Sequence, residues 1–159
     1  MSKENLDIVW RDPSFFLAFG FGSGLLSIAP GTWGTLAAVG LYFLVCDLSW
    51  PFYFLFVLLL TIFGVWLCER VSNHLGVHDH SGIVIDEIAG YLITMCFAPY
   101  KLTWLILGFF LFRLFDIWKP GIIGLVDKRV HGGLGIMLDD VLAGIAAMLV
   151  LQSIIWLAS

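Results

Sequence analysis

The chain has 159 residues, of which 60% are hydrophobic and only 13% are charged, and its formal net charge is −4. A soluble domain usually carries roughly 25% charged residues, so this chain has too few to cover a soluble globule. The mean hydropathy of +0.99 also excludes a disordered chain, a coiled coil and a nucleic-acid binder with a basic face. The composition predicts a single membrane-embedded domain over residues 1–159.

The N-terminal part of the chain is predicted to contain a broken segment. Residues 1–13 are polar and mixed in charge, without the basic start and compact apolar core of a signal peptide, so we expect no cleaved targeting segment. The next run, Ser14–Pro30, is apolar but contains Gly20, Gly22 and Gly24. Because glycines at this density weaken a helix, we predict a segment that is re-entrant or lies at the membrane interface.

Five apolar stretches follow, and each is predicted to be a membrane-crossing helix. Lipid tolerates only helices or closed barrels, and the two-residue alternation of barrel strands is missing. The stretches are Trp33–Cys46, Pro51–Cys68, Ile83–Ala98, Leu102–Trp118 and Val141–Ala158. Small residues such as Gly90 and Gly144 are expected to allow close helix packing. The expected fold class is an all-α integral membrane protein with about five transmembrane helices plus the N-terminal segment.

The positions of the lysines and arginines predict how the chain is oriented in the membrane. With a cytosolic N-terminus and five crossings, six basic residues fall on the cytosolic side and only Lys101 falls on the far side. This agrees with the positive-inside rule. The same topology brings every polar cluster to the cytosolic face, whereas a pump or channel would more naturally spread ionisable groups through the bilayer centre. One polar face is typical of an enzyme whose substrate has a polar head and a lipid tail.

Carboxylates near the ends of the apolar stretches are candidate metal ligands. An ionised carboxylate at the edge of hydrocarbon is costly unless it is paired or metal-bound. The candidates are Asp86, Glu87, Asp116, Asp139 and Asp140. Such an oxygen-rich site suits Mg²⁺, which uses few carboxylates, keeps waters and contacts substrate phosphate. One of the last two, more readily Asp139, would instead cap the final helix.

Three charged residues near the end of the fourth stretch allow two interpretations. Arg113, Asp116 and Lys119 are spaced by three, so a helix would place them along one stripe. They form either an internal salt-bridge ladder or a source of positive charge for an anionic substrate.

Two loops also carry polar groups. The Gly31–Thr35 loop offers backbone N–H groups and the hydroxyls of Thr32 and Thr35 near a helix start, which suits phosphate. A simple turn in which a threonine caps the helix explains the same residues. The loop of His78, Asp79 and His80 contains two histidines that could bind a metal, although a solvated loop is the commoner outcome.

Taken together, these motifs resemble bacterial phosphatidylglycerophosphatase A. The blocks are FGSG at 21–24, PGTWGT at 30–35, GVHDHSGIVIDE at 76–87, FRLFDIWKP at 112–120 and RVHGGLGIMLDDVLAG at 129–144. The resemblance runs from about residue 19 to residue 144. It implies a Mg²⁺-dependent phosphatase of the bacterial inner membrane, multi-pass and with a cytosolic active site. Such an enzyme converts phosphatidylglycerophosphate to phosphatidylglycerol and phosphate. The partners that the resemblance implies are this substrate and the surrounding membrane lipids; it implies no nucleic acid and identifies no protein partner.

The resemblance implies the acidic positions, and we infer the roles of individual residues from their chemistry. The family's acidic motifs correspond here to Asp79, Asp86, Glu87, Asp116, Asp139 and Asp140. We expect the last five to hold one or two Mg²⁺ ions. Asp86, Asp116 and Asp140 are the expected catalytic residues, with Asp86 or Asp140 orienting the attacking water. The expected substrate-binding residues are Thr32, Thr35, Asp79, Arg113 and Lys119.

Two functions from other classes fit the same residues. A small ion carrier or transporter subunit would use the carboxylates to bind a cation in transit. A non-catalytic assembly protein would use the acidic and basic side chains to lock its helices together.

Overall fold

The computed structural model describes residues 3–77 and 79–158, and side chains from Asp7 onward. This described part is all-helical and contains no strand. Its α-helices are α1 (Lys3–Arg11), α2 (Pro13–Ala18), α3 (Pro30–Val45), α4 (Trp50–Leu75), α5 (Ile85–Thr94), α6 (Leu102–Trp118), α7 (Ile122–Arg129) and α8 (Gly132–Leu157). A 3-10 helix, Gly20–Leu25, lies between α2 and α3. The prediction of an all-α fold is confirmed.

Two of the described helices, α4 and α8, are long and apolar enough to cross a membrane. Each has 26 residues and extends about 39 Å, against a hydrocarbon core of about 30 Å. In contrast, α5 has only 10 residues, which extend about 15 Å. Two candidate crossings are therefore established by length and composition, and the number five stays a prediction.

The outer face of α4 is strongly apolar. Phe52, Phe54 and Ile62 are 65%, 60% and 59% exposed, and several other large apolar side chains of the helix lie beside them. A continuous apolar surface of this kind marks an interaction with lipid or protein. Together with the length of the helix, it favours contact with a bilayer.

The short helix α5 lies at the centre of the bundle and runs parallel to α8. Their backbones meet at Gly90 and Gly144, two of the small residues that were expected to allow close helix packing. A Cβ atom on Gly90 would lie 2.8 Å from the carbonyl oxygen of Asp140, and one on Gly144 would lie 3.1 Å from the carbonyl carbon of Gly90. The Thr94 hydroxyl donates to the carbonyl oxygens of Gly90 (3.0 Å) and Gly144 (3.3 Å). Asp86 and Asp140, each four residues before its glycine, are consequently neighbours.

Helices α4 and α6 run antiparallel to α5 and are fastened to it away from its first turn. The Tyr53 hydroxyl of α4 donates to the carbonyl oxygen of Leu92 over 2.8 Å. The Tyr91 hydroxyl of α5 donates to the carbonyl oxygen of Leu105 in α6 over 3.2 Å. Because of these directions, the C-terminal ends of α4 and α6 lie at the same end of the bundle as the start of α5.

Residues 14–30 are broken, as predicted. They are divided between α2, the 3-10 helix and a turn, and Phe21 has a positive φ of 59°. Just before this segment, Asp12 accepts a hydrogen bond from the Ser14 backbone N–H (2.8 Å) and pairs with Arg70 of α4 (3.2 Å). The Ser14 backbone hydrogen bond and the Arg70 side chain hold the pKa of Asp12 below its usual value.

Two helices begin earlier than the sequence indicated. The first, α3, begins at Pro30 and not near Trp33 or Thr35; the second, α8, begins at Gly132, well before Val141. The prediction that Asp139 caps the last helix is therefore wrong. Asp139 lies inside α8, whose N-cap residue is His131.

The early start of α8 depends on a partner from another helix. The carboxylate of Glu69, on α4, accepts a hydrogen bond from the backbone N–H of Gly133. This contact satisfies one of the first N–H groups of α8, which have no partner inside the helix. A long-range cap of this kind leaves no local sequence signal.

The contact between Gly90 and Gly144 predicts a specific loss of stability. The Gly144→Ala substitution should push α5 and α8 apart at a cost of about 1–3 kcal/mol. We expect the midpoint of thermal unfolding in detergent to fall by roughly 5 °C. Gly40→Ala is the matched control, since no described atom outside the local helix lies within 4 Å of a Cβ atom there. Equal midpoints for the two variants would contradict the proposed packing.

Candidate active site

A cavity of about 210 Å³ lies where α3 and α5 begin and α6 ends. Its polar lining residues are Asp79, Ser81, Asp86, Glu87, Arg113, Asp116, Lys119, Asp139 and Asp140. We call it the carboxylate cavity. It brings together eight of the ten residues that the sequence suggested for a site, and it lies at one end of the bundle.

Three carboxylates form the centre of this cavity. One oxygen atom from each of Asp86, Glu87 and Asp140 lies within 4.8 Å of the other two. Asp86 and Asp140 are only 7% and 3% exposed. Among the described residues, Glu87 Oε2 is buried without a hydrogen-bond partner. Buried carboxylates at this separation repel one another, so the all-oxygen cluster fits a hard divalent cation such as Mg²⁺.

The start of α5 positions the first two carboxylates. Asp86 and Glu87 lie in the first turn of the helix, where its unpaired N–H groups favour negative charge. The backbone N–H of Glu87 donates to Asp86 Oδ1 over 3.1 Å. Gly31, in the first turn of α3, leaves room for the Glu87 carboxylate. A Cβ atom on Gly31 would collide with Glu87 and would lie 2.9 Å from Arg113 Nη1.

Arg113 is the cation nearest to the carboxylate cluster along α6. Its Nη1 atom lies 2.5 Å from Asp116 Oδ2 and 3.8 Å from Glu87 Oε1. The predicted pairing between Arg113 and Asp116 is therefore present. Within the described part of the chain, Arg113 Nε is buried and has no hydrogen-bond partner.

Lys119 does not continue the α6 stripe that its spacing suggested. The helix ends at Trp118, and Lys119 adopts a left-handed backbone conformation with φ 46°. Its ammonium contacts Asp139 Oδ2 (2.5 Å) and Asp127 Oδ1 of α7 (2.6 Å). Burial alone would lower the pKa of Lys119, but these two hydrogen bonds outweigh it and raise the pKa above the usual value.

The five acidic candidates thus occupy two different environments. Asp86, Glu87 and Asp140 face one another, whereas Asp116 and Asp139 each hold a basic side chain at the cavity wall. In the described structure, Asp139 Oδ1 is buried and lacks a hydrogen-bond partner. The sequence had placed all five in one ligand set, because spacing alone does not show which carboxylate each cation reaches.

Two predicted substrate-binding residues lie apart from the others. Neither Thr32 nor Thr35 is among the described residues that line the carboxylate cavity. The Thr35 hydroxyl is fully buried and donates to the Gly31 carbonyl oxygen inside α3 over 2.8 Å. Asp79 lines the cavity as expected, and His78 lies outside the described residues.

The sequence did not single out two polar residues that the structure places here. Ser81 lines the cavity, and Asp127 holds Lys119 from α7. Ser81 lies within the GVHDHSGIVIDE block, which was the available signal for it. Asp127 lies directly before Lys128 and Arg129, so its neighbours suggested an ordinary charged surface helix.

Comparisons with known proteins show which family the chain resembles. The family model described as phosphatidylglycerophosphatase A matches residues 16–155. The phosphatidylglycerophosphatase A of Escherichia coli strain K12 is 47% identical over 135 residues, which cover 84% of this chain and 78% of that protein. That of Haemophilus influenzae is 43% identical over 145 residues, which cover 90% of this chain and 89% of that protein.

A third relative carries a different name. A protein of Bacteroides thetaiotaomicron, provisionally named a phosphatidylinositol-3-phosphatase, is 37% identical over 159 residues, covering 92% of this chain and 98% of that protein. No solved structure matches the chain. On the family model and the first two relatives, the chain belongs to the phosphatidylglycerophosphatase A family.

Proposed function

We propose that the protein hydrolyses the terminal phosphate monoester of phosphatidylglycerophosphate and releases phosphatidylglycerol and inorganic phosphate. Membership of the family supports this dephosphorylation in phospholipid synthesis. The observation that carries the proposal is the convergence of Asp86, Glu87 and Asp140 within 4.8 Å, in a cavity that Arg113 and Lys119 also line. Clustered anionic ligands beside fixed cations suit a metal-assisted reaction of a phosphate.

Asp86, Glu87 and Asp140 are the residues that would hold Mg²⁺. Their oxygen atoms match the ligands that this ion prefers, and the unpartnered Glu87 Oε2 offers a free ligand atom among the described residues. When bound, the ion neutralises charge on the phosphate oxygens and makes a bound water more acidic. Asp116 and Asp139 contribute indirectly in this proposal, because each fixes a basic side chain.

Arg113 and Lys119 bind the phosphate oxygens in the proposed reaction. Asp116 holds the Arg113 guanidinium and Asp139 holds the Lys119 ammonium, so both donors are positioned before substrate arrives. Either Asp86 or Asp140 orients the attacking water and accepts one of its protons. The water oxygen bonds to phosphorus, the ester P–O bond breaks, and the proton passes to the departing glycerol oxygen.

We also propose that the protein is a multi-pass protein of the bacterial inner membrane with five crossings and a cytosolic active site. The two long apolar helices and the apolar outer face of α4 support membrane insertion. Arg70, Lys128 and Arg129 belong to elements at the cavity end of the bundle, whereas Lys101 lies between α5 and α6 at the other end. The positive-inside rule then places the cavity at the cytosolic face.

The carboxylate cluster predicts that Asp140→Asn removes activity without unfolding the protein. The amide keeps the shape of the side chain but removes a negative ligand and a candidate proton acceptor. We expect phosphate release from phosphatidylglycerophosphate in detergent to fall at least about 100-fold. Asp47→Asn is the matched control, since Asp47 is exposed near the opposite end of the bundle. Near-normal activity of the Asp140 variant would exclude the proposed site.

Metal removal provides a second test. We expect EDTA to stop phosphate release by the purified protein and added Mg²⁺ to restore it, because three adjacent buried carboxylates need a compensating cation. Phosphatidylinositol 3-phosphate should be assayed in parallel, given the name of the third relative. Release that persists unchanged in EDTA would contradict the metal assignment. Selective release from the inositol lipid would contradict the proposed substrate.

The orientation predicts one-sided labelling of introduced cysteines. In a chain without its native cysteines, an impermeant thiol reagent should label Asp47→Cys but not Lys128→Cys when applied to spheroplasts. Inverted membrane vesicles should show the opposite pattern, which controls for reactivity. Labelling of Lys128→Cys in spheroplasts would place the cavity on the outer face of the membrane and would contradict the proposed orientation.

A further inference from the structure

A second cavity, of about 390 Å³, adjoins the carboxylate cavity and has no role in the proposed hydrolysis. One wall comes from the end of the 3-10 helix and the turn after it, and the other from residues 80–82 before α5. Pro30 and Ser81 line both cavities. A molecule that placed its phosphate among the carboxylates would therefore meet the second cavity directly beyond these two residues.

The walls of this second cavity are fixed by backbone contacts. A Cβ atom on Gly24 would lie 3.0 Å from the carbonyl carbon of Gly82, and one on Gly82 would lie 3.0 Å from the Phe19 ring. The Val84 backbone N–H also donates to the Ala18 carbonyl oxygen over 2.9 Å. The two walls are thus held together by close backbone packing and by the Phe19 ring against Gly82, which preforms the cavity.

The lining mixes apolar residues, Leu25, Leu26 and Pro30, with uncharged polar groups. Ser27 and Ser81 contribute hydroxyl groups, and His80 contributes an imidazole ring. The Gly82 backbone N–H donates to His80 Nδ1 over 3.0 Å, which leaves the ring proton on Nε2. Burial lowers the pKa of His80 and so favours this neutral form. No charged side chain appears among the described residues of the lining.

This chemistry distinguishes the two cavities. The carboxylate cavity contains six acidic side chains and two basic ones, and suits a cation and a phosphate. Hydroxyl groups and a neutral imidazole instead form hydrogen bonds with neutral hydroxyl groups. An alcohol that carries a phosphate ester presents both kinds of group, one on each side of the ester bond.

We propose that the second cavity binds the polyol that carries the scissile phosphate, and that Ser27, Ser81 and His80 select this alcohol. We call it the head-group cavity. The inference rests on the proposed phosphatase function and adds the part of the site that binds the leaving group, which is the alcohol released from the phosphate. Ser81 lies between the two cavities, so its hydroxyl is the one nearest to the ester bond.

Two substitutions test the head-group cavity from opposite walls. Ser27→Leu fills the space, and His80→Ala removes the imidazole donor. For each variant we expect kcat/KM for phosphatidylglycerophosphate to fall about tenfold or more, equivalent to about 1.4 kcal/mol. The inhibition constant of inorganic phosphate, which occupies the carboxylate cavity alone, should stay within about twofold. Ser49→Leu and His74→Ala are matched controls outside both cavities, and kcat/KM should not change in them.

The substrate can be varied as well as the protein. Phosphatidate carries its phosphate monoester without a glycerol head group, so its relative rate of hydrolysis should rise in both variants. Thermal unfolding midpoints check folding, and because the substitutions lie on separate walls, a folded variant at either position decides the result.

Three results would overturn the inference. They are unchanged kcat/KM in a folded variant, a parallel weakening of inorganic phosphate inhibition, or an equal loss of phosphatidate hydrolysis. Wild-type protein that releases no phosphate from either lipid would instead reject the proposed phosphatase function, and the inference with it.

Discussion

The backbone contact between Gly90 and Gly144 determines most of the arrangement around the cavity. Because neither residue has a side chain, α5 and α8 approach until their carbonyl groups touch the facing helix. One turn earlier on each helix stands an acidic residue, so the same contact forces Asp86 and Asp140 together. The electrostatic cost of this juxtaposition is met by tight packing of small residues and by the cation that we propose.

Burying several like charges costs several kcal/mol per ion unless partners are supplied. The bundle supplies two of these partners from α6 and its C-terminal end. Arg113 neutralises Asp116, and Lys119 neutralises Asp139 while Asp127 steadies it from α7. What remains at the centre is a cluster of three carboxyl groups, which Arg113 approaches only at 3.8 Å from Glu87. An assembly protein that uses charged side chains only to lock its helices together would pair these carboxyl groups. A transporter would need such groups along the path of the ion, whereas these lie at one end of the bundle.

The sequence predicted the helical class, the limits of α6 and the acidic and basic residues of the carboxylate cavity, because apolar stretches and the charged residues near their ends are visible locally. It did not predict where α8 begins, since the group that satisfies its first turn comes from Glu69 on α4. It also placed Lys119 on the α6 stripe, although the predicted stretch itself ended at Trp118, because a spacing of three residues does not show that the Lys119 backbone is left-handed. Thr32 and Thr35 were misplaced for a related reason. Because α3 starts at Pro30, both residues lie within the helix, and the Thr35 hydroxyl donates to the Gly31 carbonyl oxygen of the same helix.

The left-handed backbone of Lys119 has a consequence for how this position tolerates change. A residue with a side chain pays of order 1–3 kcal/mol to hold that conformation, and glycine or asparagine would adopt it more readily. Either replacement would relax the chain but would delete the ammonium that joins α7 to α8. Selection for higher stability and selection for activity therefore act in opposite directions at this position. Lysine at this position retains the ammonium group at the cost of a strained backbone conformation.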